Sequence, residues 1–268
     1  MKMLNGSELA DFIKERQAKQ VRALRQADDV FPKLAIVQCK DDPVIDTYVR
    51  LKKSYGSDIL IEVDVHRISQ DKAEATIGAL NNDPSVHGIV VQLPLADTSA
   101  TDRIVSLVAP EKDVDALGQN ATFEPATPMA IMWLLAGYNI DLAGKKVLLI
   151  GKGKLVGAPL EKILQSNDID VTVVDRSTKE LDVLSNSADI IITATGSPAI
   201  LYSNMVKQRA VVVDAGVASE AGKTVGDVAP ELYERDDITI TPPKGGVGPL
   251  TVCALFENVI RAAQASTR

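Results

Sequence analysis

Short apolar runs alternate with longer amphipathic stretches through the first half of the chain. "KLAIVQC", "DILIEVDVHRI" and "VHGIVVQLPL" are rich in β-branched residues, and they occupy residues 33–39, 58–68 and 86–95. Runs of this kind are typical of strands in a parallel sheet that is covered on both faces. Apolar residues at helical spacing predict helices before and between them, at residues 7–26, 43–56 and 70–82. The alternation predicts βαβ units and therefore an α/β fold.

A second series of the same kind follows residue 123. "PATPMAIMWLLAGYNI" predicts a helix in which Thr127 is the N-cap and Pro128 is the first helical residue. "KKVLLIG", "DVTVVD", "ADIIITATG" and "AVVVDAG" then predict short buried strands, and a last helix begins near Pro249. We therefore predict two α/β lobes, and no long linker is evident between them.

Charge and rare residues exclude several classes of function. The formal net charge is −7, from 36 acidic and 29 basic residues, which argues against a nucleic-acid-binding surface. Cys39 and Cys253 give no disulfide framework and His66 and His87 give no metal-ligand spacing, so we predict no metal site and a reducing cytoplasm. No uninterrupted apolar run reaches membrane-spanning length, so we predict no membrane partner.

"KVLLIGKGKLVGAPLEKIL" runs from a buried strand through a glycine-rich turn into a helix, which is the context of a dinucleotide site. Gly151 allows the tight turn, Gly153 leaves room for a pyrophosphate, and the helix N-terminus supplies amide donors. The spacing departs from G-x-G-x-x-G because Val156 takes the third glycine's place and Gly157 follows it. Glycine turns also occur in α/β domains that bind no nucleotide. The flanking strands favour a Rossmann-like NAD(P)-binding domain here.

The second strand of that domain ends in "VVDRS", which bears on the choice of nicotinamide. Asp175 is placed to accept from a ribose 2′-hydroxyl, which favours NAD. Arg176 and Ser177, with Lys152 and Lys154 in the glycine turn, suit a 2′-phosphate, which favours NADP. A solvated basic edge is the alternative interpretation of these donors. Four donors against one carboxylate favour NADP and leave NAD possible.

Three further segments carry polar or glycine residues where ligands are often bound. "GIVVQLPL" ends a strand with Gln92, and "PEKDVDA" places Asp113 and Asp115 soon after it. "TPPKGGVGPLTV" places three glycines before the last helix. Parallel strands present ligand-binding side chains at their carboxyl ends, and glycines let the backbone approach a flat ligand closely. Each segment alone also fits an ordinary strand end, helix start or loop.

Taken in order, these segments resemble the bifunctional methylenetetrahydrofolate dehydrogenase/cyclohydrolase family over nearly the whole chain. The matching motifs are Tyr48-Val49-x-x-Lys52, Val91-Gln92-Leu93-Pro94, Lys112-Asp113-Val114-Asp115, Thr127-Pro128, Val156-Gly157-x-Pro159, Asp214-x-Gly216, Gly226-Asp227-Val228 and Gly245-Gly246-Val247-Gly248-Pro249-x-Thr251. The family's glycine turn has the same displaced third glycine.

The resemblance implies a fold and an activity. The fold is an N-terminal folate-binding domain over residues 1–122, completed by a C-terminal helix at 250–268, and a Rossmann-like domain over 123–249, with a cleft between the lobes. The activity is NADP-dependent oxidation of 5,10-methylenetetrahydrofolate and hydrolysis of the product to 10-formyltetrahydrofolate, in one-carbon metabolism. A cytoplasmic homodimer is also implied.

The resemblance further assigns roles to residues. Lys52 is the catalytic amine, Tyr48 positions the substrate, Gln92 orients the lysine and Asp115 binds the pterin ring. Further substrate contacts are implied for Val91, Leu93, Lys244, Gly245, Gly246, Val247, Gly248 and Pro249. Cofactor contacts are implied for Gly151, Lys152, Gly153, Val156, Gly157, Pro159, Asp175, Arg176, Ser177, Gly196 and Val217.

Several positions depart from the family pattern. Lys152-Gly153 replaces the common Arg-Ser pair, and Ile45 stands where serine is frequent. Ala116 replaces a glycine, which costs about 1 kcal/mol or more if that position needs a positive φ. Lys244 replaces a proline and either meets the glutamate tail of folate or is a solvated loop lysine.

These departures leave two alternative functions open. One is a dehydrogenase that has lost the hydrolytic step, because two of the changes lie near folate segments. The other is a non-catalytic nucleotide-binding regulator on the same fold, because fold alone does not fix function.

Overall fold

The computed structural model describes residues 2–220 and 223–266. Its α-helices are α1 (Gly6–Ala27), α2 (Pro43–Asp58), α3 (Ala73–Asn82), α4 (Thr101–Val105), α5 (Ala126–Gly137), α6 (Gly157–Ser166), α7 (Leu181–Ser187) and α8 (Val247–Ala265). Its strands are β1 (Lys2–Met3), β2 (Lys33–Gln38), β3 (Glu62–Arg67), β4 (Gly88–Gln92), β5 (Val147–Ile150), β6 (Val171–Val174), β7 (Ile190–Thr193), β8 (Val211–Asp214), β9 (Ala218–Glu220), β10 (Lys223–Val225) and β11 (Thr239–Ile240). Within the described part of the chain, no helix is long and apolar enough to cross a membrane.

Contacts divide the chain into two compact units. The three-strand unit comprises Asp11–Ala126 and Val252–Arg268, and the six-strand unit comprises Met1–Ala10 and Thr127–Thr251. The domains expected from the sequence, residues 1–122 with 250–268 and residues 123–249, stay a prediction.

The three-strand unit is built on a parallel sheet in the order β3-β2-β4. Every residue of β4 is buried, as are five of the six residues of the central β2, which explains their almost unbroken apolar sequences. In register, Gln38 of β2 pairs with Gln92 of β4, so two amide side chains stand at neighbouring carboxyl ends of the sheet. Helix α2 begins where the Asp42 carboxylate accepts the amide hydrogens of Val44 and Ile45.

The six-strand unit is a parallel sheet in the order β1-β11-β8-β7-β5-β6. The central strands β5 and β7 are buried at every residue. The chain passes from β5 outward to β6 and then crosses back to β7 on the other side of β5. Ligands of such sheets bind at the carboxyl ends on either side of this switch point. A separate antiparallel pair, β9 and β10, follows β8.

The helix starts differ from two of the sequence predictions. Thr127 is not the N-cap of α5, because that helix begins at Ala126 and Thr127 lies in its first turn. There the Thr127 hydroxyl oxygen accepts a hydrogen bond of 3.4 Å from the Thr251 hydroxyl. The last helix begins at Val247, before Pro249. A proline is tolerated in the first helical turn because the amide it lacks has no partner within the helix.

Asn258 of α8 holds two distant loops of the three-strand unit. It is fully buried, and its Nδ2 donates to the backbone oxygens of Val114 and Glu124, each at 2.9 Å. Buried carbonyl groups without a partner are costly, so one amide side chain fixes the segment that leads to Asp115.

Replacing this side chain tests that role. Asn258→Ala removes both donors and leaves two carbonyls unpaired, so the free energy of unfolding should fall by about 2–3 kcal/mol. The measurement is urea unfolding. Asn82→Ala is the matched control in the same unit, because Asn82 is exposed and its amide donates to the oxygen of Gly78, one turn earlier in the same helix. We expect a change of less than about 0.5 kcal/mol there, and equal effects of the two variants would contradict the assigned role.

Candidate active site

A lysine amine and a glutamine amide meet at the carboxyl end of β4. The Nζ of Lys52, on α2, donates to Oε1 of Gln92 at 2.8 Å. Gln92 is 8% exposed, and its Nε2 donates to the backbone oxygen of Leu93 at 3.0 Å. That second bond turns the amide so that its oxygen faces the lysine. The geometry therefore fixes a half-buried amine against a neutral acceptor.

Asp115 is the charged neighbour of this amine. Burial lowers the pKa of Lys52, while the negative charge of Asp115 opposes that change by favouring the ammonium. Burial likewise raises the pKa of Asp115, and the positive charge of Lys52 opposes it. Both groups are thus shifted towards their neutral forms, which is the condition under which a lysine acts as a base.

The loop that carries Asp115 is held by its own backbone and by Asp113. The backbone oxygen of Lys112 accepts from the Ile89 amide of β4 at 2.8 Å, which aligns the loop with the sheet. The carboxylate of Asp113 is 3% exposed and accepts from the Gly118 amide at 2.8 Å. Desolvation raises the pKa of Asp113, and hydrogen bonds from the backbone amides of Gly118, Leu117 and Ala116 partly oppose that rise. Asp113 is therefore a loop anchor, whereas Asp115 acts on the amine.

Tyr48 lies one helical turn before Lys52 on α2 and is 39% exposed. Residues four apart share a helix face, so the side chains of Tyr48 and Lys52 leave α2 on the same side. Val91 is buried in β4, and a cis peptide bond joins Leu93 to the proline after it. The structure thus brings Tyr48, Lys52, Gln92 and Asp115 into one part of the three-strand unit.

A cavity of about 300 Å³ opens at the carboxyl ends of β5, β6 and β7 in the six-strand unit. It lies at the switch point of the sheet, where dinucleotides bind. Its lining comprises Ile150, Gly151, Lys152, Gly153, Asp175, Arg176, Leu181, Ala194, Thr195, Ser197 and Ile200.

The glycine turn at this cavity fits a phosphate group. Gly151 has a φ of +113°, and a Cβ there would lie 2.6 Å from the Ala194 oxygen. A Cβ at Gly157 would lie 2.0 Å from the Gly151 oxygen, so Gly157 allows α6 to pack against the turn although it is displaced by one residue. Nothing lies within 4 Å of a Cβ built at Gly153, which leaves open space beside the turn.

The charged side chains at the cavity are already engaged with neighbours. The Asp175 carboxylate accepts from the amide and the hydroxyl of Ser177, at 2.8 and 2.6 Å, and these bonds lower its pKa. Lys152 forms an ion pair of 3.4 Å with Glu161 of α6. Arg176 donates to the Ser197 hydroxyl at 3.4 Å. Two cations and one internally bonded carboxylate therefore line the cavity.

The other predicted contact residues lie elsewhere in the six-strand unit. Lys244 is exposed, Gly245 has a φ of +79°, and its oxygen accepts from the Ser7 amide at 3.0 Å. Gly246, Val247, Gly248 and Pro249 follow it at the start of α8. Gly196 has a φ of +63°, and Val217, whose oxygen lies 3.2 Å from a Cβ built at Gly196, is 59% exposed. Val156 and Pro159 flank the start of α6 and are not part of the cavity lining.

Sequence reasoning missed several residues of the cavity. Thr195, Ser197 and Ile200 follow β7 and line it, and Glu161 pairs with Lys152. The "TATGSP" stretch after a buried strand was the available signal for the first two, since it places small polar residues at a strand end. Nothing in the sequence marks Glu161, because its partner is nine residues away across a turn.

Comparison with protein-family models accounts for most of the chain. Residues 4–115 match the model for the "Tetrahydrofolate dehydrogenase/cyclohydrolase, catalytic domain", and residues 125–267 match the "NAD(P)-binding domain" of the same family. The chain belongs to the tetrahydrofolate dehydrogenase/cyclohydrolase family. The predicted family, the predicted α/β fold with a catalytic and an NAD(P)-binding domain, and the predicted class of enzyme are confirmed.

Relatives within the tetrahydrofolate dehydrogenase/cyclohydrolase family span the full chain. The "Bifunctional protein FolD" of a Nitratiruptor species is 38% identical over 281 residues, covering 100% of both sequences. The crystal structure of the bifunctional FolD enzyme from Campylobacter jejuni has a TM-score of 0.92 at 36% identity and covers 99% of each chain. The Trypanosoma brucei FolD structure, complexed with NADP and an inhibitor, has a TM-score of 0.92 at 29% identity, covering 99% of this chain and 98% of that one.

Ala116 stands where the family usually has a glycine, directly after Asp113-Val114-Asp115, and the structure shows how this affects the backbone. Ala116 has a φ of +55°, in the left-handed region that disfavours a side chain. Ala116→Gly should therefore raise the free energy of unfolding by about 1 kcal/mol, as measured by urea unfolding.

Asn139 provides the matched control, because it also has a φ of +55° and asparagine tolerates this region better than alanine. Asn139→Gly should give a smaller gain. A lower unfolding midpoint for Ala116→Gly would contradict the strain assigned to this position.

Proposed function

We propose that this protein oxidises 5,10-methylenetetrahydrofolate to 5,10-methenyltetrahydrofolate with NADP and then hydrolyses the product to 10-formyltetrahydrofolate. The observation that carries the proposal is the half-buried Lys52 amine, held 2.8 Å from the Gln92 oxygen in the part of the chain that matches the family's catalytic domain.

The hydrolytic step requires a base. Water adds to the cationic methenyl carbon and loses one O–H proton, which gives a neutral carbinol. The ring then opens as the carbinol loses its remaining O–H proton to form the formyl C=O, while the bond to one folate nitrogen breaks and that nitrogen takes up a proton. A neutral Lys52 accepts the proton of the attacking water. Burial lowers the pKa of this amine and so increases its neutral fraction. Gln92 orients the amine without adding a negative charge, so it stabilises the ammonium less than a carboxylate in the same place would.

The oxidation needs alignment more than acid–base chemistry. Loss of hydride from the bridging methylene leaves a cation that the two adjacent folate nitrogens stabilise, and no proton is transferred. The nicotinamide cofactor, when bound, supplies the hydride acceptor. The contribution of the protein is to hold the two rings in a reactive orientation.

Charge at the cavity supports NADP over NAD. Lys152 and Arg176 line it and suit a 2′-phosphate, while one oxygen of the Asp175 carboxylate, the group that would bind a 2′-hydroxyl, already accepts two hydrogen bonds from Ser177. The Trypanosoma brucei relative was crystallised with NADP. The glycine turn, with its positive φ at Gly151 and open space at Gly153, fits the pyrophosphate of either cofactor.

The remaining roles follow from the same proposal. Tyr48 positions the folate ring beside Lys52, and Asp115 binds the pterin through hydrogen bonds. The Gly245–Gly248 stretch supplies backbone contacts to the substrate, and Lys244 contributes a positive charge nearby. We also propose a homodimer that acts in the cytoplasm, as the family resemblance implies, and analytical ultracentrifugation tests the first part.

Replacing Lys52 separates the two reactions. Lys52→Met removes the base, so the rate of methenyltetrahydrofolate hydrolysis should fall by at least about 100-fold while the unfolding midpoint is retained. The measurement is the loss of methenyl absorbance without cofactor. Lys53→Met is the matched control, because its exposed side chain is next in sequence, and we expect wild-type hydrolysis from it.

Full hydrolysis by Lys52→Met would remove this lysine from its proposed role. A wild-type protein that reduces NADP with methylenetetrahydrofolate but does not hydrolyse the methenyl compound would be a monofunctional dehydrogenase. Failure in both assays, with NADP still bound, would favour a nucleotide-binding regulator.

The hydrolysis rate should depend on pH in a defined direction. Only the neutral amine accepts a proton, so kcat rises with pH and levels off below the ordinary lysine pKa of about 10.4, because burial lowers the pKa of Lys52. Asp115→Asn removes a charge that favours the ammonium, so the midpoint of this rise should move to lower pH. The measurement is the pH profile of kcat. An unchanged midpoint would mean that Asp115 does not act on the amine.

A further inference from the structure

A second buried carboxylate, unrelated to the lysine site, lies behind the cofactor cavity. Asp227 has no exposed surface. Its Oδ2 accepts from the Thr195 amide at 2.7 Å and its Oδ1 accepts from the Ser197 amide at 3.0 Å. The Thr195 hydroxyl also bonds this carboxylate. Both oxygens of Asp227 are therefore used to fix the short turn that follows β7.

Asp214, at the end of β8, fixes Asp227 in turn. Its Oδ1 accepts from the amides of Gly216 and Asp227, at 3.0 and 3.1 Å, and its Oδ2 accepts from the Val228 amide at 3.1 Å. The Thr193 hydroxyl donates to the same Oδ1 at 3.1 Å. A half-buried carboxylate, Asp214, thus lies beside the fully buried Asp227, an arrangement that amide hydrogens directed at both groups make tolerable.

Glycines make room for these carboxylates. A Cβ at Gly216 would lie 2.0 Å from Oδ1 of Asp227, and a Cβ at Gly226 would lie 2.0 Å from Oδ2 of Asp214. No other residue fits at either position without moving a carboxylate. The segments that follow β7 and β8 are consequently held to the segment that precedes the short 3-10 helix at Pro230–Glu234.

The turn held by Asp227 forms one wall of the cofactor cavity. Thr195 and Ser197 line that cavity, as does Ile200, whose amide donates to the Asp227 backbone oxygen at 2.8 Å. Gly196, between the two anchored amides, has a φ of +63° and faces the Val217 oxygen. The position of this wall therefore depends directly on the Asp227 carboxylate.

We infer that Asp227 is a positioning residue for the nicotinamide cofactor, acting through the 195–197 turn rather than by contact. The inference rests on the proposed function, because it requires a dinucleotide in the cavity at the ends of β5, β6 and β7. Asp227 holds two amide groups in a fixed arrangement and so presets the shape of the wall before the cofactor arrives, which reduces the ordering that binding requires.

Asp227→Asn is the decisive change because it keeps the volume and removes one acceptor. Asparagine has a single side-chain oxygen, and its NH₂ group would face the other amide as donor against donor. We expect the dissociation constant for NADP, measured by titration calorimetry, to rise by at least about tenfold. The NADP-induced rise in melting temperature should shrink accordingly. Methenyl hydrolysis without cofactor should stay within about twofold, since Lys52 and its partners are untouched.

Asp189→Asn is the matched control on the same sheet. The Asp189 carboxylate accepts from the Lys146 amide at 2.9 Å and pairs with Lys207 at 2.6 Å, and it precedes β7 at the opposite end of that strand. The Asp189→Asn variant should keep an NADP dissociation constant within about twofold of the wild-type value. An equal rise in both variants would mean that the effect is a general loss of stability.

Thr195→Val is the second test if Asp227→Asn does not fold. It removes the hydroxyl that bonds Asp227 and accepts from the Ser197 amide at 3.0 Å, and it preserves size. The NADP dissociation constant should then rise by about threefold or more. Wild-type NADP affinity in a folded Asp227→Asn protein, or in Thr195→Val where the first variant fails to fold, overturns the inference. A wild-type protein that does not bind NADP would instead overturn the proposed function.

Discussion

The proposed chemistry depends on the half-buried amine of Lys52, which has no counter-ion in direct contact among the residues that the structure describes. A carboxylate at the place of Gln92 would hold Lys52 as an ammonium, and an apolar residue there would leave the amine unoriented. The amide does neither, because it accepts one hydrogen bond and carries no charge. Asp115 supplies a weaker opposing influence from nearby. The balance between burial and that one negative charge sets how readily Lys52 exchanges a proton.

Parallel strands explain how each unit builds a site with few residues. The central strands β2, β4, β5 and β7 are buried and largely apolar, so their polar groups gather at the carboxyl ends, where the backbone turns away. Gln92 ends β4 in one unit, while the glycine turn, Asp175 and Thr195 follow β5, β6 and β7 in the other. The same arrangement therefore gives one unit an amide that accepts from the Lys52 amine and the other a cavity lined by two cations and a carboxylate.

The sequence predicted what is local or periodic and missed what depends on distant partners. Buried strands and the glycine turn were recognisable because their spacing has a direct physical cause, and the strain at Ala116 followed from a missing glycine. The hydrogen bonds of Asn258 could not be predicted from the sequence, because its partners lie 144 and 134 residues away. Gln17, fully buried in α1, bonds Glu257 and was missed for the same reason. The start of α5 was misjudged because capping residues locate a helix end only to within a residue or two.

The ion pair between Lys152 and Glu161 alters what an incoming anion encounters at the glycine turn. A solitary ammonium would offer its full charge to a phosphate. Here the Glu161 carboxylate already lies beside the lysine. A phosphate that binds Lys152 must compete with that carboxylate for the ammonium, and it is repelled by the negative charge of Glu161. Counter-ions in solution weaken that repulsion as well as the attraction. Added salt should accordingly weaken the affinity for a ribose that carries a phosphate less than it would if Lys152 had no carboxylate beside it.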